Sequence, residues 1–414
     1  MPVVPAESGW SPDPVGGEGD SVVSVSTAPT VGRNISVAIV YGTRPEAIKM
    51  APLVRAVNAA PGMSATVIVS GQHRHMLAQV HEAFGITPCH DLNLFEPGQR
   101  ISDIVARTLT GLTPVLEAQQ PDMIVVHGDT STAFAAASAG FFLRVPVVHL
   151  EAGLRTYNLD SPFPEEANRQ LITRLSRLHL APTALNRAVL LAEGVDPADV
   201  VVTGNTVIDA LADVAAVRAP SCPPADRYRV LVTLHRRENL GPRMQGVARA
   251  IARFAAARPH VSVRVPLHLN PQVRSVVVPE LQSLPNVAIL EPLGYLDFVD
   301  ELLQCGFVLT DSGGIQEEAP GLGKPVLVAR DTTERPEAVE AGTARLVGTG
   351  EADVHAALAE LADDDEAYER MANAVNPYGD GRAAQRAQAA LAHLAGVGHR
   401  IPDFEPLVAS GAAV

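Results

Sequence analysis

Three carboxylates fall within one stretch of the chain: Asp129 in VVHGDTST, Glu151 in VVHLEAGLRT and Glu165 in SPFPEEANR, the first two directly after apolar runs of β type. A carboxylate beside a buried edge costs free energy unless it is hydrogen-bonded, paired or put to use, so the succession points to proton transfer. The ordinary alternative is helix capping and ion pairing with Arg155 or Arg169. A second set of residues suits anions. Gly42 frees the turn after SVAIVY, Pro45 and Glu46 mark a helix start, and Arg44 and Lys49 flank it, where the helix dipole favours negative charge. In LTDSGGIQEEAPGLGKPVLVAR a strand ends at Asp311, and the Ser312, Gly313, Gly314 turn allows close backbone approach to phosphate. Glu317 and Glu318 lie on the next helical turn, where a carboxylate can accept from ribose hydroxyls. Arg335 adds a planar guanidinium, a shape matched to phosphate oxygens, with Glu334 or Glu337 as its ordinary partners. His235 and Arg236 in VTLHRREN follow another strand and face the same crevice. The turn after SVAIVY is neither GxGxxG nor a P-loop, which removes the main support for a nicotinamide or NTPase assignment.

The elements that must position these groups show a βα rhythm. Short apolar runs (VAIVY, ATVIVS, MIVVHG, VPVVHL, LHLAPT) alternate with helical patterns, and a second series follows VVTGN: RVLVTLH, VSVRVPLH, VAILE, GFVLTDS and PVLVAR. Such alternation gives parallel sheets covered by helices and joined by right-handed crossovers. The spacing predicts an α/β protein with two Rossmann-like halves. Residues 1–34, rich in Pro, Gly, Ser and acidic groups, read as a disordered tail; 35–205 as the N-terminal Rossmann-like domain with the carboxylates; 206–380 as the C-terminal one; and 381–414 as a helix returning to the first domain, then a tail.

At 414 residues with 47% hydrophobic side chains, the chain can build more than one packed core. Its 46 acidic against 32 basic side chains, a formal charge of −14, argue against a nucleic-acid partner, which demands a basic footprint. Cys89, Cys222 and Cys305 are widely spaced, as expected of reduced thiols in a cytoplasm and not of a zinc site or a disulfide framework. No run of about 18 apolar residues suggests a membrane span, and the N-terminal stretch lacks the basic start and apolar core of a secretory signal.

The segments GTRPEAIKMAPL, VHGDTST, EAGLRT, SPFPEEANR, TGNTVIDAL, HRREN, DSGGIQEEAP, GKPVLV, DTTERPEAVEAGT and NPYGDG, in this order from Val37 to Gly381, resemble the non-hydrolysing UDP-N-acetylglucosamine 2-epimerases. The resemblance implies a GT-B architecture, two Rossmann-like domains with the active site in the cleft between them, and interconversion of UDP-GlcNAc and UDP-ManNAc without cofactor or metal. It also implies a cytoplasmic homodimer. Asp129, Glu151 and Glu165 match the family's catalytic carboxylates, and His235 matches a residue beside the diphosphate. Arg44, Lys49 and Arg335 match its nucleotide-site cations, Ser312, Gly313 and Gly314 its diphosphate loop, Glu318 its ribose ligand and Phe298 a uracil contact. The implied mechanism is anti elimination of UDP to 2-acetamidoglucal followed by readdition. The proton on C2 is not adjacent to a carbonyl, so a leaving group must take the charge onto phosphate oxygens, where cations stabilise it. Some members carry a second, activating UDP-GlcNAc site, whose pattern Gln72 and Arg74 fit; His75 replaces a Gln and Gly98 an Arg found in regulated relatives. The competing readings are a GT-B glycosyltransferase with a UDP-sugar donor and a noncatalytic UDP-sugar sensor.

Overall fold

The computed structural model describes residues 34–71, 74–94, 96, 98–223 and 225–406. Seven strands form a wholly parallel first sheet: β1 (Ile35–Tyr41), β2 (Met63–Val69), β3 (His90–Asp91), β4 (Met123–His127), β5 (Val147–Leu150), β6 (Leu178–Ala181) and β7 (Val200–Val202), in the order β3-β2-β1-β4-β5-β6-β7. The second sheet holds β8 (Asp226–Thr233), β9 (Ser262–Pro266), β10 (Val287–Leu290), β11 (Cys305–Thr310), β12 (Val326–Val328) and β13 (Ala344–Leu346), in the order β10-β9-β8-β11-β12-β13. Its pairs are parallel too. Both orders reverse direction once, between β1 and β4 and between β8 and β11, and ligands of open α/β sheets bind outside the strand ends at such reversals.

The central strands are buried on both faces, as runs such as MIVVH and CGFVLT require. β5 begins at Val147, later than the apolar letters suggest. Arg144 turns left-handed at φ 58°, and the Val145 N–H bonds Gly140 O at 2.9 Å to close the preceding helix. One apolar cluster crosses between the halves, joining Val54, Leu211 and Leu391 to Val299 and Val308. The helix Thr206–Arg218 packs on helices of both halves.

The helix Ala383–Leu394 lies against the helix Arg44–Ala59 of the first half and against Thr206–Arg218. Asp209 starts it by accepting the Ala384 and Ala383 N–H groups at 2.8 and 3.2 Å. Beyond it the chain runs along β7. Arg400 donates to Ala198 O and Val200 O at 3.1 and 2.8 Å, and the Phe404 N–H reaches Val202 O at 2.8 Å. Among the described residues no helix is long and apolar enough to cross a membrane.

Candidate active site

The first half brings Asp129 and Glu151 to the ends of β4 and β5. Glu151 follows β5 directly, in a left-handed backbone conformation at φ 62°. That geometry is uncommon for a residue with a Cβ. The Glu151 Oε2 atom accepts from the Lys49 ammonium, from His127 Nε2 at 3.2 Å and from Asn205 Nδ2 at 3.3 Å. Burial alone would push this carboxyl up, but the charges of Lys49 and His127 outweigh it and hold the group well below the usual carboxylate range.

Asp129 lies one residue beyond Gly128, whose φ of 61° turns the chain away from β4. His149, fully buried on β5, donates Nε2–H to Gly128 O at 2.7 Å. Burial pushes that imidazole down to about 3, so it is a neutral brace for the turn. Asn168 holds Asp129 O at 2.9 Å and Arg169 pairs with its carboxylate at 2.7 Å. The Asp129 carboxyl is nevertheless raised, by burial first and then by the charges of Glu151 and Glu165 against the pull of Arg169. These three acidic groups therefore share one electrostatic neighbourhood. Glu165 stands not at a strand end but at the first turn of the helix Glu165–Leu175. Its neighbour Glu166 is fully buried and fastens the incoming loop through the Thr156 and Tyr157 N–H groups at 2.9 and 3.1 Å. Of the ordinary partners weighed from sequence, Arg169 does pair with Asp129, whereas Arg155 pairs with Glu193 at 2.8 Å.

The turn after β1 is packed tightly against its neighbours. A Cβ on Gly42 would lie 2.4 Å from Ser70 Oγ and 2.8 Å from Thr132 Oγ1, so only glycine fits. Buried Glu46 accepts from the Gly42 and Thr43 N–H groups at 3.0 and 2.7 Å and from Thr130 Oγ1 at 2.7 Å, tying the β1 turn to the β4 turn. Arg44 reaches the cleft from this helix start. Lys49 does not act there as a free cation. It is buried and engaged by two carboxylates, Glu151 and, at 3.4 Å, Glu317 of the second half.

A cavity of about 520 Å³ opens between the halves. Arg44 and Lys49 contribute from the first half, and His235, Phe298, Ser312, Gly314, Glu318 and Arg335 from the second. Asp129, Glu151 and Glu165 lie outside this lining, and Lys49 links the two regions. Gly313 sits under Arg335: a Cβ there would meet Nη1 at 2.5 Å and Cζ at 2.8 Å. Arg335 is held not chiefly by Glu334 or Glu337 but by Glu317, whose Oε1 accepts Nε at 2.7 Å; Glu334 is 3.7 Å away. Burial pushes the Glu318 carboxyl up to about 7, with Glu317 adding to the shift and Lys49 and Arg44 opposing it.

His235 is set by Asp311, a fully buried carboxylate that accepts the His235 and Arg236 N–H groups at 3.0 Å each and lies 3.3 Å from His235 Nδ1. Burial pushes the His235 imidazole down, against the pull of Asp311. Asp311, which closes β11, thus shapes the β8 turn and does not face the cavity as a ligand.

Of the proposed regulatory residues, Gln72 lies outside the described residues, as do the side chains of Arg74 and His75 on the helix Arg74–Phe84. Sequence reasoning missed His127, His149, Asn205 and the part played by Glu317. A polar residue inside an apolar strand, as at His127 and His149, was the one local signal available. A larger cavity, about 690 Å³, lies between the helices Arg44–Ala59, Thr206–Arg218 and Ala383–Leu394 and holds none of the predicted site residues.

Comparison with known proteins joins these observations. The UDP-N-acetylglucosamine 2-epimerase family model matches residues 55–392. The UDP-N-acetylglucosamine 2-epimerase of Yersinia pestis is 50% identical over 370 residues, covering 86% of this chain and 98% of that protein. That of Escherichia coli is 48% identical over 370 residues with the same coverage. The crystal structure of UDP-GlcNAc 2-epimerase from Neisseria meningitidis bound to UDP-GlcNAc superposes with a TM-score of 0.81 at 45% identity, over 87% of this chain and 100% of the other. The two parallel sheets with their helices are the GT-B arrangement of these relatives. With its carboxylates beside one sheet, its glycine turn beside the other and its sequence matched along most of its length, this chain belongs to the UDP-N-acetylglucosamine 2-epimerase family.

Proposed function

We propose that the protein interconverts UDP-GlcNAc and UDP-ManNAc by eliminating UDP across C1 and C2 and re-adding it after the proton returns to the other face. The observation that carries this reading is the pair Asp129 and Glu151. Their surroundings push the two carboxyls in opposite directions, one up and one down, beside a cavity with cations and a glycine turn. Two carboxyls pushed apart in this way suit opposite roles in proton transfer. Inversion at C2 needs acid/base groups on both faces of the ring, and Glu165 supplies a third carboxylate nearby.

Ser312, Gly313 and Gly314 of the second half are assigned to the diphosphate, with Arg335 and His235 of that half and Arg44 and Lys49 of the first around it, Glu318 to the ribose and Phe298 to the uracil. What supports this is that Arg44 and Lys49 line the cavity from the first half and Ser312, Gly314, His235, Arg335, Glu318 and Phe298 from the second, with Gly313 just beneath Arg335. Negative charge gathering on the departing UDP would meet preset cations and a helix N-terminus. A homodimer is proposed from the family resemblance, and a cytoplasmic location from the widely spaced Cys89, Cys222 and Cys305.

The test is incubation of UDP-GlcNAc in deuterated water, followed by proton NMR. Epimer carrying deuterium at C2 is expected. Epimer without it would overturn the elimination, no conversion of any UDP-2-acetamido sugar would overturn the function, and release of free ManNAc with UDP would mark a hydrolase.

A further inference from the structure

The cavity offers Lys49 and Arg335 to a diphosphate, yet one carboxylate already holds both. Glu317 is 2% exposed. Its Oε1 accepts from Arg335 Nε at 2.7 Å, and its Oε2 accepts from Asn205 Nδ2 at 3.1 Å and from Lys49 Nζ at 3.4 Å. Asn205 has no freedom to turn away. Its Oδ1 accepts the Val207 N–H at 3.0 Å, and its own N–H is held by Tyr378 O at 2.6 Å. The contact with Arg335 is one-sided: Glu317 takes Nε, whereas Nη1 lies over Gly313 at the cavity turn. Glu318, the next residue, lines the cavity itself, and Glu317 does not. Two adjacent carboxyls thus divide the work, one facing the ligand space and one behind the cations.

A buried negative charge in that position has two effects on an arriving anion. It fixes the guanidinium and ammonium in place, so little side-chain entropy remains to be lost. It also cancels part of their field, because charge pairs interact strongly where water is excluded. Tight holding of reactant and intermediate alike does not speed a reaction. A leaving group that must stay through an intermediate and then depart is served by cations that are well placed but partly neutralised.

We propose that Glu317 is a built-in counter-charge that orients Lys49 and Arg335 and weakens the site's grip on the nucleoside diphosphate. The proposal rests on the reading that this cavity binds a UDP-sugar. Its test compares the native protein with Glu317→Gln and Glu317→Ala, measuring UDP affinity by calorimetry and thermal midpoints with and without UDP. Glutamine keeps the shape and removes the charge, and its amide N–H must face a donor, either Arg335 Nε or the Lys49 and Asn205 pair. E317Q is therefore expected to melt lower when free, to bind UDP about tenfold more tightly, and to gain more from UDP in its melting temperature than the native protein does. E317A loses the orientation as well and is expected to bind UDP more weakly than E317Q. A role confined to holding the halves together predicts weaker binding in both variants. UDP affinity in E317Q equal to or below native would overturn the proposal. Absence of UDP binding by the native protein would overturn the nucleotide reading and the proposal with it. Should E317Q fail to fold, Glu317→Asp keeps the charge but draws it back by one methylene; partial tightening is expected, and none would overturn the idea.

Discussion

The two halves have the same sheet design but bring their site residues to the cleft in opposite conditions. At the ends of β4 and β5 the groups are charged, buried and mutually committed: Glu151 to Lys49 and His127, Asp129 to Arg169, the turn between them to His149. At the ends of β8 and β11 the offering is a glycine turn and an imidazole whose backbone is fastened from behind by Asp311, with the aromatic ring of Phe298 added from the helix Tyr295–Gln304. The first arrangement pushes the Asp129 and Glu151 carboxyls apart, and the second shapes a cavity wall around the Arg335–Glu317 pair. The proposed reaction, which moves protons on a sugar while a nucleotide is held, would need both, and the fold duplicates one architecture.

Substitutions separate the two. The largest effect is expected for Glu151→Gln, which removes the proposed acid/base group and leaves the glycine turn untouched: kcat should fall about a thousandfold, while UDP affinity by calorimetry should not fall, because Glu151 also offsets the Lys49 charge. A comparable loss of UDP affinity would erase the division between the halves. Gly313→Ala is the converse. Its methyl group would displace the Arg335 guanidinium, so UDP affinity should drop by about 30-fold, in line with the ~2 kcal/mol typical of overpacking, with a smaller change in kcat. The smallest effect concerns pH. Glu318 has its carboxyl at about 7 in the folded protein against a reference of 4.5. Its contribution to stability is therefore whole below about pH 4.5 and is lost as pH rises through about 7, because the folded state keeps a proton that the unfolded state releases. Glu318→Gln should flatten that slope, so the native-minus-variant difference in melting temperature should decline by roughly 1–2 °C between those limits. A difference that instead grows with pH would show the carboxylate to be stabilised in the fold.

Much of this was written locally. Runs such as MIVVH and CGFVLT are long, apolar and bounded by turn residues, so their strands and the crevice at their ends follow from pattern alone. β3 and β13 did not, because two or three residues carry no period. The glycine turn and the carboxylates were legible as residue types. Their wiring was not: Lys49 meets Glu151 across 102 residues and Glu317 across 268, distances over which no spacing rule operates. Lys49 read alone is a surface cation at a helix start. Only the closure of two sheets on one cleft makes it the bond between them.

The stretch from Arg400 to Phe404 has a consequence outside catalysis. β7 ends the first sheet with three valines, and a bare edge of that kind invites another chain to add a strand. Its outward carbonyls at Val200 and Val202 are already taken by the Arg400 guanidinium and the Phe404 N–H. The stretch from Arg400 to Phe404 thus guards this edge against edge-to-edge pairing, and shortening the chain before Arg400 is expected to promote self-association without touching a single residue of the cleft.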